Sequence, residues 1–218
     1  MDPLAGGVPA DQRISLDLLP AAVLRRRAVV VSIGAVLLGA AVGGVVGLIG
    51  GRLAGLVSAV VVGLPLLLLA FAESRRRSWL HDGVVTVRAF GTRSVDLRKA
   101  TRLELLITEV RGSRAVGVLV TGPPKGKTVN VAVATYSGVA GRELDILALR
   151  RLADGLAGGS ETDGLVFAEL LVAQLRAEAR GEGAANRPLY RIAAMAPGGR
   201  IAHRIRSDAV GKFVAGLD

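Results

Sequence analysis

The chain has 218 residues and a formal charge of +10, enough length for one ordinary domain plus a small membrane anchor but not for two enzyme-sized domains. It contains no cysteine, which excludes disulfides, thiolate metal sites and a cysteine nucleophile together. Half of the residues are hydrophobic but only 3% are aromatic, so the apolar mass is Ala, Val and Leu, a mixture suited to helices in lipid. The missing aromatics argue against a single-strand nucleic-acid binder, and the basic excess also fits a segment facing anionic headgroups.

Residues 1–24 form a short lead with Gly6, Gly7, Pro9 and Asp11. They lack the periodicity that would offset the entropy of ordering, so the expectation is a disordered lead on the cytoplasmic side. From Ala28 to Ala72 the only charged residue is Arg52. It divides the run into spans 28–50 and 53–72, roughly 34 Å and 30 Å long as helices, against a hydrocarbon core of about 30 Å. With Gly50, Gly51 and Arg52 as the connection, residues 25–77 are expected to form a transmembrane α-hairpin.

Arg25, Arg26 and Arg27 precede the first span and Arg75, Arg76 and Arg77 follow the second. Each would cost about 2.5–3.5 kcal/mol at mid-bilayer, so both termini are expected in the cytoplasm, under a plasma (inner) membrane. A cleaved signal peptide fits less well, because the apolar run is too long and a second span follows at once. Gly39, Gly43, Gly47 and Gly51 recur at every fourth position and line one helical face. That face can pack against the hairpin's own second helix, around Gly55, Ser58 and Gly63, or against another copy in a homo-oligomer. Pro65 is expected to kink the second helix, and no acid, amide or histidine lies in either span to bind a transported substrate.

After Arg77 the pattern changes to short strands. Ser78 to Leu80, Val84 to Phe90, Ser94 to Leu97, Arg102 to Val110, Ala115 to Thr121 and Thr128 to Ala134 read as an antiparallel meander. His81-Asp82-Gly83, Gly91-Thr92, Arg111 to Arg114 and Gly122 to Lys127 read as its turns. A helix from Arg142 to Leu156 presents Leu144, Leu147 and Ala148 on one face, widened by Ile146, Leu149, Ala153 and Leu156, and can cap the sheet. After a hinge at 158–160, a second helix over Asp163 to Arg180 carries Leu165, Ala168, Leu171, Val172 and Leu175, and is expected to pack loosely or against a partner. The tail, 181–218, reads as weakly ordered. As an alternative it is interfacial, with Ile201, Ile205, Val210, Phe213 and Val214 in the headgroup boundary and Arg200, Arg204, Arg206 and Lys212 meeting anionic lipid.

The order of a two-helix hairpin, then "WLHDGVVTVRAFGTRSVDLRKATRLEL", then two hairpin strands and "ELDILALRRLADGL" resembles bacterial membrane proteins that carry a C-terminal pleckstrin-homology-like (PH-like) domain. The resemblance covers residues 78–157 and includes Gly91-Thr92-Arg93 leading to Val95-Asp96-Leu97. It implies an α+β fold, a bent antiparallel sheet capped by a helix, and a non-enzymatic role with no cofactor. Six strands are expected here, one fewer than the seven of a complete PH-like domain.

Apparent catalytic motifs fail on chemistry. Gly122 to Thr128 suggests a phosphate-cradling Walker A loop, but its first glycine would fall at Thr121, Pro123 and Pro124 lack N–H donors, and a strand follows where a helix must begin. His81 beside Asp82 reads as a turn histidine, and two isolated histidines, His81 and His203, do not make a metal site. Glu104 and Glu109 are an odd number of residues apart on one strand, so they face opposite sides. Arg88, Arg93, Arg98, Lys99 and Arg102 cluster around the early strands, either as a solvated basic surface or as a contact for anionic lipid or protein. The expected function is a membrane-anchored adaptor with an unknown protein partner. A small oligomeric pore or transporter subunit is the alternative, and a membrane-anchored hydrolase fits less well.

Overall fold

A computed structural model describes residues 13–19, 21–88, 91–123, 126–138, 140–159, 161–199 and 201–217. The expectations for residues 1–12, Phe90, Pro124 and Arg200 fall outside this set. The protein is α+β and divides into a helical unit, residues 19–76 with 88–91, and a sheet unit, residues 1–18, 77–87 and 92–218.

The helical unit is built on α1, Ala21–Arg75. Within it, Ala22–Ala72 is long and apolar enough to cross a membrane. The one residue with non-helical angles is Gly51 (φ 86°, ψ 171°), so two helical segments meet there, and Pro65 lies inside the second. A positive φ of that size is open to glycine and strained for most side chains. Apolar side chains point outward around the unit, with Leu48 90% exposed, Ile49 87% and Leu53 78%. The buried positions form a narrow seam of small residues: Ala35, Gly39, Gly43, Gly55, Gly63 and Ala70. Along it the backbones nearly touch. A methyl group at Gly39 would lie 2.9 Å from the Ala59 carbonyl oxygen, one at Gly43 would lie 2.7 Å from that of Gly55, and one at Gly55 would lie 2.7 Å from Gly47 Cα.

The sheet unit holds two sheets. The first runs β1-β2-β3-β4, with β1 Ile14–Ser15, β2 Arg77–His81, β3 Val84–Arg88 and β4 Thr92–Asp96. The second runs β8-β7-β6-β5-β9, with β5 Arg102–Val110, β6 Ser113–Gly122, β7 Lys127–Ser137, β8 Ala140–Glu143 and β9 His203–Arg206. Asp82 (φ 47°) and Gly83 (φ 75°) both take left-handed angles, so the expected Asp-Gly turn joins β2 to β3 as a primed two-residue hairpin.

Helices α2 (Ile146–Ala157) and α3 (Thr162–Ala179) follow the sheets, and α4 (Pro188–Met195) and α5 (Ser207–Ala215) complete the chain. The inward faces of β5, β6 and β7 (Leu105, Val118 and Val131) share one core with Leu149, Leu152 and Leu156 of α2 and Phe167, Leu170 and Leu171 of α3. Asp145 caps α2 by accepting from the Leu147 N–H at 3.1 Å. Residues 142 and 143, expected in that helix, instead end β8, and Ile146 and Leu147 are exposed.

Three further expectations are corrected. The lead is not disordered up to residue 24: Ile14 pairs with Leu80 and Ser15 with Trp79, and Leu16 is 1% exposed. Asp17 Oδ1 accepts from the Ser78 N–H at 2.9 Å and from its hydroxyl at 2.7 Å. Second, α3 is a core helix and does not pack loosely, since Phe167, Leu170, Leu171 and Gln174 are fully buried. Gln174 Oε1 accepts the Leu189 N–H at 3.0 Å in the first turn of α4, where no α-helical partner exists for it. Third, the described part of the tail is folded rather than weakly ordered, with α4, β9 and α5 formed over it. Ile205 pairs with Leu105 at the edge of the second sheet, Val210 is fully buried, and Phe213 and Val214 pack against the core. These apolar side chains gain more from a preformed protein core than from the headgroup boundary, leaving Ile201 exposed.

Candidate functional site

The basic residues singled out by sequence are carried by the end of the first sheet and a short turn. Arg88 ends β3 and groups with the helical unit, while Arg93 lies on β4. Arg98 and Lys99 sit in a 3-10 turn, Leu97–Lys99, and Arg102 opens β5. That turn is firmly built: Asp96 accepts the Arg98 N–H at 3.0 Å, the Leu97 N–H donates to the Gly83 carbonyl at 2.9 Å, and the Thr101 N–H donates to that of Thr121 at 2.8 Å. Leu97, 2% exposed, anchors the turn in the core beside Gly155 of α2.

The structure then separates these arginines by what they already hold. Arg98 is spent within the fold, 3.1 Å from Asp82 and 3.8 Å from Asp96, so its guanidinium ties the β2–β3 turn to the 3-10 turn. Arg102 lies 2.9 Å from Glu104, which also meets Arg204 at 3.5 Å and is itself only 6% exposed. A carboxylate covered by two guanidiniums carries a net positive charge outward, and the second guanidinium comes from β9, about a hundred residues further along the chain. Arg93 and Lys99 are exposed and make no ion pair among the described residues. Among the described residues they are the members of the cluster on the sheet unit that hold no acid. No protein-family model, curated protein or solved structure matches the chain.

The remaining sequence candidates have other partners. Glu109 pairs with Arg114 at 3.1 Å, whose guanidinium also donates to the Ala193 carbonyl at 3.0 Å, so it works apart from Glu104. His203 sits on β9 opposite Ile107, and His81 ends β2. Among the described residues no group of His, Asp and Glu is arranged to hold a metal. Gly122 pairs with Lys127 across the β6–β7 turn, and β7 is a strand, so the glycine-rich loop is a hairpin connection.

One buried polar network escaped sequence reasoning. The Tyr136 hydroxyl donates to Glu143 at 2.7 Å, and Arg187 pairs with the other oxygen of Glu143. Tyr136 is 2% exposed and meets Tyr190 edge to face at 5.1 Å. Burial, and then the hydrogen bond to and charge of Glu143, push its phenol far above the ordinary value, so it stays neutral. The network joins β7, β8 and the entry to α4; its only signal in sequence was a pair of tyrosines among few aromatics.

Proposed function

We propose that the protein is a non-enzymatic, membrane-anchored adaptor. In this account α1 is an antiparallel hairpin through the plasma membrane, and the sheet unit is a PH-like domain in the cytoplasm that binds protein or anionic lipid at the membrane surface. The observation that carries it is the pairing of β1 with β2, the strands immediately before and after α1. Asp17 and Ser78 are hydrogen-bonded at 2.9 Å, although 61 positions apart. A straight helix of 55 residues would separate its ends by roughly 80 Å. Joined ends therefore favour a stretch that turns back, and Gly51 and the glycine seam favour the turn at its middle. Two crossings of roughly 30 Å match a bilayer, and outward-facing apolar side chains favour lipid as their solvent. Gly39, Gly43 and Gly47 face the chain's own residues 55–63, so self-association through them is not needed to explain them, whereas Gly51, expected on the same face, has non-helical angles and nothing within 4 Å of a Cβ.

The PH-like assignment is supported by the succession of a first meander, β2 to β4, a second, β5 to β8, and then α2 packed into the shared core. Arg93 and Lys99 are the residues assigned to contact, since Arg98 and Arg102 already hold acids. A photo-reactive amino acid at the exposed Thr92 tests this in native membranes. The expected result is a recurring protein or lipid adduct that disappears in the R93E/K99E variant. An adduct pattern identical to that from the exposed Ala157 on α2, or unchanged by R93E/K99E, would overturn the assignment.

A further inference from the structure

A second basic feature lies away from that surface, in a cleft of about 420 Å³ between the C-terminal half of α3 and the start of α4. Its walls carry Arg176 from α3 and Arg180 at its C-cap, Arg191 from α4, Glu182 and Asn186 from the connection, and Leu217 from the segment after α5. Ala173, Arg176, Ala177 and the C-cap Arg180 follow the spacing of one helical face, so the two guanidiniums rise from a floor of small residues. Two of the three arginines have a partner. Arg180 is held by Glu182 at 3.0 Å, Arg191 stacks over the Phe213 ring at 5.8 Å, and Arg176 is exposed with no ion pair among the described residues.

We propose that this cleft binds the phosphate group of a small ligand. Among the described residues that line it, three arginines against one glutamate leave a charge of about +2, which matches a phosphate monoester at neutral pH. Planar guanidiniums offer paired N–H donors that fit phosphate oxygens two at a time, and Arg191, lying over the Phe213 ring, loses less freedom on binding than a free side chain. The Asn186 amide adds a neutral donor at the rim. The cleft exceeds the size of a bare phosphate and is typical of sites for small organic ligands, so the rest of the ligand lies along Ala177 and Leu217. Helix-end stabilisation accounts for one arginine in the last turn of α3, Arg176, but not for the convergence of Arg191 from another helix.

The test uses the full chain in nanodiscs of phosphatidylcholine, titrated calorimetrically with inorganic pyrophosphate and with phenyl phosphate. A second arm uses nanodiscs containing phosphatidic acid and measures cleft occupancy by protection of Arg176 from phenylglyoxal. Saturable binding of either soluble probe assigns the phosphate to a free small molecule, and protection by phosphatidic acid alone assigns it to a lipid headgroup; both support the proposal. R176A is expected to weaken binding at least about tenfold. R191K, which keeps the charge but loses the fork, should weaken it similarly, while R150A on the exposed face of α2 leaves it unchanged. Melting curves check that each variant is folded. No saturable binding in any arm, or equal weakening by R150A, would overturn the proposal.

Discussion

The glycine seam of α1 permits a prediction whose size follows from the coordinates. A Cβ on Gly55 would stand 2.5 Å from the Gly43 carbonyl oxygen and 2.7 Å from Gly47 Cα, whereas ordinary contact begins at 3.4 Å. Both obstacles are backbone and cannot rotate away, so Gly55→Ala must push the two segments apart by about 0.9 Å. A gap of that order forfeits a quarter to a half of each atomic contact along the seam. With the strain of overpacking, the expected loss is about 1–3 kcal/mol of pairing energy. Gly43→Ala, facing Ala59 Cβ at 2.6 Å and the Gly55 carbonyl at 2.7 Å, should behave alike. Gly34 and Gly44 have nothing within 4 Å, so alanine there should be neutral, or favourable by up to about 1 kcal/mol from helix propensity. Because the chain has no cysteine, dyes can be placed on R26C and R75C alone, and energy transfer followed as SDS is added to mixed micelles. Transfer should be lost at lower SDS in the Gly55 and Gly43 variants than in the Gly34 and Gly44 variants. Four indistinguishable midpoints would refute close backbone packing as the basis of pairing.

Two further outcomes follow from the sheet unit. Asp17→Ala removes the acceptor of the Ser78 N–H and hydroxyl, and should cost about 1–3 kcal/mol locally. The partner Arg77 is 47% exposed at 4.0 Å, so Arg77→Ala should cost under about 1 kcal/mol. Hydrogen exchange at Ser78 and Leu80 measures both, with faster exchange expected only for the Asp17 variant. Tyr136 makes stability fall in alkali: its folded pKa is raised, so above about pH 10 the unfolded state releases a proton that the folded state keeps. The folded-to-unfolded ratio should then drop by up to an extra tenfold or so per pH unit, a slope that Tyr136→Phe removes. Denaturant titrations between pH 9 and pH 11, roughly centred on the free phenol value, read the difference between the two slopes.

Much of the fold was legible because it is written in local patterns. The apolar run, its arginine flanks, the Asp82-Gly83 turn and the alternation of β5 to β7 each specify themselves within a few residues. What was missed depends on distant partners. Ile14, Leu16 and Leu18 do alternate with Ser15 and Asp17, but a run of five is too short to announce a strand without β2. His203 to Arg206 reads as a basic stretch until Leu105 and Leu106, about a hundred positions earlier, supply its ladder. The basic cluster is divided by the fold in a similar way. Glu104 lies two residues from Arg102 on the same strand face, a pairing visible in sequence, whereas the capture of Arg98 by Asp82 needed the fold. The arginine cleft joins α3 to α4 and the chain end, and nothing periodic links those segments.

The proposal that β1 and β2 lie on one side of the membrane, with the turn at Gly51 on the other, is tested most directly by thiol labelling of single-cysteine variants in intact cells. A membrane-impermeant maleimide should label Arg52→Cys from outside and reach Ser137→Cys, exposed on the sheet unit, only after permeabilisation. Equal labelling of both residues in intact cells, or of neither until the cells are opened, would contradict a hairpin that crosses the bilayer twice.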